Sequence, residues 1–209
     1  RFIFLSSIKV NGESTKRNSP FRNDDPLNGK DPYAISKSEA EKGLLKIADE
    51  MNFELTIIRL PLVYGPGVKA NFQSLLKLAS MRLPLPFGSI DNKRSFVALE
   101  NLVDLIVICI DHPNAGNQIF LVSDDYDVST TQLLSALIKI QESKAFLIPV
   151  RPSLLKSVAR IFGKEQIISR LCDSLQMDIE HTKDTLDWRP KISFEEGLRL
   201  CVRKQNLLD

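Results

Sequence analysis

The sequence predicts an α/β fold, a doubly wound parallel sheet followed by a smaller lobe of different texture. Three observations predict it. Phe2-Ile3-Phe4-Leu5-Ser6 is a short run rich in β-formers. From Ala34 to Met51, apolar residues recur at three- and four-residue steps, and Glu54 to Leu60 is a second apolar run. Strand, loop, long helix, strand is the rhythm of a parallel unit, whose crossover needs a helix and turns right-handed.

Each element follows in order. Residues 1–6 read as a buried strand ending at Ser6-Ser7. Residues 11–32 hold Asn, Gly, Ser, Asp and the prolines Pro20, Pro26 and Pro32, which marks exposed turns able to line a cleft. The helix that follows places Ala40, Leu44, Ile47, Ala48 and Met51 on one face, and residues 54–60 form another buried strand. After Pro61 the texture changes. Tyr64-Gly65-Pro66-Gly67 reads as a turn cluster, residues 71–82 as a helix and Leu83 to Gly88 as an apolar, proline-broken loop. Ser95 to Leu99 is a short strand, residues 100–111 a helix and Gln118 to Ser123 a strand. Ser129 with Gln132, and Ser193 with Glu196, are capping boxes that open two more helices. The expected division is residues 1–62 for the sheet domain and 63–209 for the lobe, with about 95–112 returning to the sheet domain.

Composition narrows the function. The 209 residues are 43% hydrophobic and 26% charged, ordinary for a globular protein, and 28 basic against 26 acidic side chains give a net charge of only +2. No global field points to nucleic acid or an anionic membrane, so any anion site is local. No stretch approaches the roughly 20 apolar residues that span a bilayer, so no membrane insertion is expected. Cys109, Cys172 and Cys201 are odd in number, widely spaced and set in apolar helical runs, which argues for burial over a disulfide or a metal site. His112 and His181 stand alone, His112 in a surface or capping position before Pro113. A reducing, cytoplasmic setting fits. The run begins on a strand without a starting methionine, and the expectation is a piece of a longer chain.

The candidate chemistry begins with Tyr33 and Lys37. Four residues apart at the start of a helix, they share one face. An ammonium close to a phenol favours the phenolate, which can then take a proton from a sugar hydroxyl. Ser6-Ser7 lies at the C-terminal end of a strand, where ligands gather in open α/β sheets. Each feature has a bland counterpart: an exposed tyrosine, a solvated lysine, a turn serine.

Phe2-Ile3-Phe4-Leu5-Ser6-Ser7, then Tyr33-Ala34-Ile35-Ser36-Lys37, then Arg59-Leu60-Pro61-Leu62-Val63-Tyr64-Gly65-Pro66-Gly67 resembles, in order and spacing, the extended short-chain dehydrogenase/reductase family, specifically its nucleotide-sugar epimerases and dehydratases. Leu186-Asp187-Trp188-Arg189-Pro190 is similar to the Leu-Gly-Trp-x-Pro element near the end of these enzymes, with Asp187 where glycine is usual. The resemblance implies the C-terminal part of a Rossmann-like, NAD(P)-binding domain with a substrate-binding lobe. It implies that Tyr33 is the acid/base, Lys37 its tuner and the holder of the nicotinamide ribose, and Ser7 a partner of the reacting sugar oxygen. Ser6 and Leu60, Pro61, Leu62 and Val63 would lie by the cofactor, NAD with NADP as the alternative. Arg94 would grip the substrate pyrophosphate, while Asn71, Phe72, Leu85 and Phe87 would contact the base and ribose of a UDP-sugar. Leu85-Pro86-Phe87 reads equally well as lobe core.

Two departures matter. Leu62 stands where many relatives carry asparagine. Ile8-Lys9 follow Ser7 where dehydratases carry Asp-Glu, which disfavours loss of water. The nine glycines form no dinucleotide fingerprint, so the residues in hand are expected to bind NAD poorly. The resulting expectation is C4 epimerisation of a UDP-hexose or UDP-N-acetylhexosamine through a 4-keto sugar, with a homodimer formed through the tyrosine helix as in relatives. A 4-keto-sugar reductase or dehydrogenase, and a non-catalytic nucleotide-binding scaffold, are the alternatives.

Overall fold

The computed structural model describes residues 1–68 and 70–205, with the backbone alone at residues 70, 71, 204 and 205. β1 (Phe2–Ser7) passes through a short helical turn into the loop before α1 (Pro32–Met51). Asp31 caps α1 by accepting from the Ala34 amide at 2.7 Å, and Pro32 occupies the first turn, where its missing N–H costs nothing. Asn52 ends the helix in the left-handed region at φ 51°. β2 (Leu55–Leu60) and β3 (Leu62–Tyr64) are separated only by Pro61. α2 (Ala70–Ser80), β4 (Pro84–Leu85), β5 (Phe96–Ala98), α3 (Leu99–Asp111) and β6 (Gln118–Leu121) follow. The chain continues through α4 (Thr130–Ile140), β7 (Phe146–Leu147), α5 (Pro152–Ile161), α6 (Glu165–Cys172), α7 (Glu180–Leu186) and α8 (Phe194–Gln205).

β1, β2 and β6 form a parallel sheet in the order β1-β2-β6. The period of two along β2 sorts its side chains. Leu55 and Ile57 pack with Phe4, Leu44 and Ala48 beneath α1, whereas Ile58 packs with Leu102, Leu105 and Phe120 beneath α3. Met177, Leu186 and Trp188 belong to that second core, so the return to the sheet includes β6 and the α7 region as well as α3. β3 pairs with β5, and β4 with β7, as two small parallel pairs.

The lobe is bolted to the sheet by a buried polar node. Asp124 accepts from the Tyr64 hydroxyl at 2.6 Å, from Asn101 Nδ2 at 2.8 Å and from the Ala98 amide at 2.9 Å. Ala98, at the start of α3, has no side chain that can accept, and its own amide is satisfied by Asp124. Burial raises both Asp124 and Tyr64 above their ordinary values, Tyr64 further through the neighbouring Asp124 charge. Asn101 Oδ1 also accepts from the Lys191 and Ile192 amides, fixing the approach to α8. Asp187 takes φ 48°, which explains why glycine is the usual residue there and why an aspartate still fits. Trp188 is buried, with its indole N–H on Asp104 at 2.9 Å.

Several expectations need correction. β1 is not fully buried: it borders the sheet, and Phe2 and Leu5 are exposed. On α1 the buried positions are Ala34, Glu41 and Ala48, while Ile47 and Met51 face outward, because these two residues of the apolar pattern fall outside the narrow strip that meets the sheet. Tyr64, read as a turn residue, ends β3. Both capping boxes form as expected: Ser129 and Gln132 exchange bonds of 2.8 and 3.0 Å, and Ser193 and Glu196 bonds of 2.8 and 3.3 Å. Cys109 and Cys201 are buried, and burial pushes their thiols up to about 11 and about 12. His112 caps a turn, accepting from the Asn114 amide at 3.3 Å.

Candidate active site

The C-terminal end of β1 and the first half of α1 lie side by side. Tyr33, Lys37 and Glu41 are spaced four residues apart along α1, and two of them reach the strand. Lys37 Nζ donates to the Leu5 carbonyl at 2.9 Å and sits 4.7 Å above the Phe4 ring. Glu41 accepts from the Ser6 hydroxyl. Ser7, almost buried, caps the helical turn through the Lys9 amide at 3.3 Å.

Beneath this face lies a buried ion pair that sequence reasoning missed. Arg59 and Glu41 are 3% and 1% exposed, and the guanidinium meets the carboxylate at two points, 2.8 Å and 3.2 Å. Arg59 also donates to Asn11 Oδ1 and to the Asn23 carbonyl, both at 3.2 Å. One guanidinium on β2 thus ties α1 to two points of the loop that precedes it, and the tip of β1 joins through Ser6 on the same carboxylate. The signal was available: a charge at position 59 inside an apolar strand, and an acidic residue eight positions after Tyr33 on the same helical face.

Tyr33 is 54% exposed and opens onto a cleft. Its other walls come from Lys9, Lys30 and Asp31 on the preceding loop and from Gln166 and Arg170 on α6. The ammonium of Lys9 is 6.0 Å from the centre of the Tyr33 ring and is ion-paired with Asp31. The Lys9 partner, aided by the Ala34 amide, holds the Asp31 carboxyl down to about 2. An adjoining cleft continues past Glu13 and Ser14 to Ser169 and Asp173.

The expected substrate contacts divide. Arg94 donates to the Arg170 and Asp173 carbonyls at 2.7 and 3.0 Å, and burial lowers its guanidinium below the ordinary value. Its visible role is to hold the C-terminal end of α6, while Arg170 lines the cleft. Phe72 is buried and stacks on Tyr64 at 5.3 Å, and Leu85 and Phe87 are buried in one apolar cluster with Ile90 and Leu134. Lobe core is therefore the reading the structure supports for these three. The side chain of Asn71 lies outside the described residues. Leu60 to Val63 run from the end of β2 into β3, level with the tip of β1, where Ser7 pairs with Leu60. Arg170, Gln166 and Lys9 carried no signal of their own, because only the folding of α6 against the loop after β1 makes them neighbours.

Comparison with known proteins bears on this arrangement. A family model described as the NAD dependent epimerase/dehydratase family matches residues 1–123. A UDP-glucose 4-epimerase of Vibrio cholerae is 52% identical over 200 residues, covering 95% of this chain and 61% of that protein. Among solved structures, a UDP-glucose 4-epimerase of Thermotoga maritima with UDP-glucose superposes with a TM-score of 0.75 at 23% identity, covering 100% of this chain and 64% of that one. A UDP-glucuronic acid 4-epimerase of Bacillus cereus in complex with NAD gives 0.76 at 19% identity, covering 99% and 61%. The chain therefore spans a little over three fifths of the length of each relative, and the two structural likenesses speak to the fold.

Proposed function

This chain belongs to the NAD dependent epimerase/dehydratase family, and from that premise we propose that it carries the catalytic and sugar-binding part of an NAD-dependent epimerase acting at C4 of a UDP-hexose or UDP-N-acetylhexosamine. The observation that carries the proposal is the placement of Tyr33, exposed over a cleft at the start of a helix that a buried ion pair anchors.

The donors present suit the nicotinamide-ribose end of NAD. Lys37 uses one N–H on the Leu5 carbonyl and keeps two for ribose hydroxyls. Ser6 and the backbone of Leu60, Pro61, Leu62 and Val63 flank the same strand tips. When bound, the cofactor supplies a reversible acceptor for hydride from the sugar carbon. Tyr33 takes the proton of the C4 hydroxyl and returns it after the 4-keto sugar has presented its other face. Ser7 hydrogen-bonds the reacting oxygen. Arg170 and Lys9 give the cleft cationic donors suited to a diphosphate, and Arg94 contributes by holding Arg170 in place.

Outward-facing Ile35, Leu45, Ile47 and Met51 on α1 support a homodimer through that helix. No helix among the described residues is long and apolar enough to cross a membrane. The three unpaired cysteines support a reducing, cytoplasmic setting. Tyr33→Phe in the full-length protein tests the proposal. Turnover of UDP-glucose to UDP-galactose should fall by about 10²- to 10⁴-fold while UDP-sugar binding persists. Retained turnover removes Tyr33 from the mechanism. Stoichiometric consumption of nicotinamide, in place of sugar interconversion at catalytic NAD, would favour the keto-sugar reductase.

A further inference from the structure

Two helices leave an apolar stripe uncovered among the described residues, and their borders carry opposite charge. On α3 the exposed apolar residues are Leu99, Val103, Val107 and Ile110, and the helix holds Glu100, Asp104 and Asp111 with no cation of its own, Lys191 pairing with Asp104 from outside it. On α5 they are Leu154, Val158 and Ile161, spaced i, i+4, i+7, and Phe162 extends the stripe beyond the helix end. Ile161 and Phe162 are 81% and 71% exposed, the tip of an elbow that Gly163 turns at φ 66°. The opposite side of α5 is already used, because Ala159 is buried and Leu155 packs on the Leu85–Phe87 cluster.

From Ser143 to Lys164 the chain carries Lys144, Arg151, Lys156, Arg160 and Lys164 and not one Asp or Glu, a local excess larger than the net +2 of all 209 residues. Lys156 and Arg160 are ion-paired with Asp173 and Glu165. Lys144, Arg151 and Lys164 have no carboxylate partner among the described residues. A helix with an apolar outer stripe, flanked by cations and followed by a bare Ile-Phe tip, has the chemistry of a segment that lies in the headgroup region of an anionic bilayer.

We propose that the α5–α6 elbow docks this protein peripherally on an anionic membrane surface, with Leu154, Val158, Ile161 and Phe162 entering the headgroup boundary and Arg151 and Lys164 meeting lipid phosphates. Charge complementarity selects this occupant. The stripe of α3, whose helix carries acids and no cation of its own, lacks that complementarity and serves as the internal control. α6 contributes both Ile167, 57% exposed beside the elbow, and the cleft residues Gln166 and Arg170, so the docked helix pair also forms a wall of the cleft.

The test is co-sedimentation of the full-length protein with phosphatidylglycerol-containing vesicles and with vesicles of phosphatidylcholine alone. Pelleting is expected with the anionic vesicles only, weakening as salt is raised. The double substitution Ile161→Glu with Phe162→Glu should reduce it by at least about tenfold, and Lys164→Glu by at least about fivefold, the factor for one lost cation. Val107→Glu on α3 should leave it unchanged. Each variant's far-UV circular dichroism establishes that it is folded. Absence of pelleting with either vesicle overturns the proposal, as does pelleting indifferent to the elbow substitutions. Loss of an oligomer on sedimentation velocity in the elbow double variant, with vesicle binding intact, would assign the face to a second copy of the chain and equally overturn it.

Discussion

The two walls of the cleft are built to different standards. α1, with 20 residues, has a side-chain cap at its start, a left-handed terminator at its end and a buried Arg59–Glu41 pair beneath its middle. α6, with eight residues, has no side-chain cap and no fully buried residue, and its C-terminal end is held by side chains from outside it: Arg94 on the Arg170 and Asp173 carbonyls, Asn92 on the Leu171 and Asp173 carbonyls, and Thr130 on the Leu171 carbonyl. The wall that carries Tyr33 is fixed from several directions, whereas the wall that carries Arg170 is held chiefly at one end. Proton transfer needs atoms placed to a fraction of an ångström, and grasping a substrate tolerates, and often needs, a part that yields.

Substitutions can break this contrast. Glu41→Ala leaves the Arg59 charge buried without its partner, so urea denaturation should show a loss of about 3–5 kcal/mol. A loss near zero would mean that water replaces the carboxylate and that α1 is not anchored there. Arg94→Ala takes a donor from the Arg170 and Asp173 carbonyls, the second of which keeps Asn92, and a smaller loss of about 1–3 kcal/mol is expected in the same measurement. Arg170→Ala should leave stability unchanged and weaken UDP binding by about tenfold, measured by calorimetry, the size expected when one hydrogen bond to a charged group is removed. If Arg94→Ala weakened UDP binding more than Arg170→Ala did, the grip on the diphosphate would pass back to Arg94.

The smallest effect lies at the start of α1. Asp31→Ala removes a cap and should cost about 1 kcal/mol. Lys9 and the Ala34 amide hold the native Asp31 carboxyl near 2, below its unfolded value, so its contribution is complete above about pH 4 and fades as the pH falls toward about 2. Wild type and Asp31→Ala should therefore differ in stability at neutral pH and converge in strong acid. A difference that persisted at pH 2 would show that something other than the ionised cap stabilises this end.

Much of this was legible in the residues. Phe2 to Ser7, the helix from residue 34, the strand at 55–60 and both capping boxes are set by local chemistry, and they lie where their patterns predict. Local pattern does not reveal what lies across from a segment. Phe72 read as a nucleotide contact and Phe87 equally as ligand wall or lobe core, and the fold supplies neighbours that bury both; Arg94 read as a phosphate fork, and one of its nitrogens is engaged by the carbonyls of Arg170 and Asp173. Glu41 drew no reading at all, because its partner lies eighteen residues on, inside a strand. α5 and α6 escaped notice because their apolar residues are split between an inner and an outer strip, which blurs a single periodic face.

The row of amide and carbonyl groups on the outer side of β1 has consequences for handling the protein. Among the described residues β1 pairs with no strand but β2, the Leu5 carbonyl of its outer row accepts from Lys37, and Phe2 and Leu5 stand exposed beside that row. Unsatisfied strand borders recruit whatever polypeptide is nearby. Preparations of these 209 residues by themselves should cloud at concentrations where a version with that border capped by another strand stays clear.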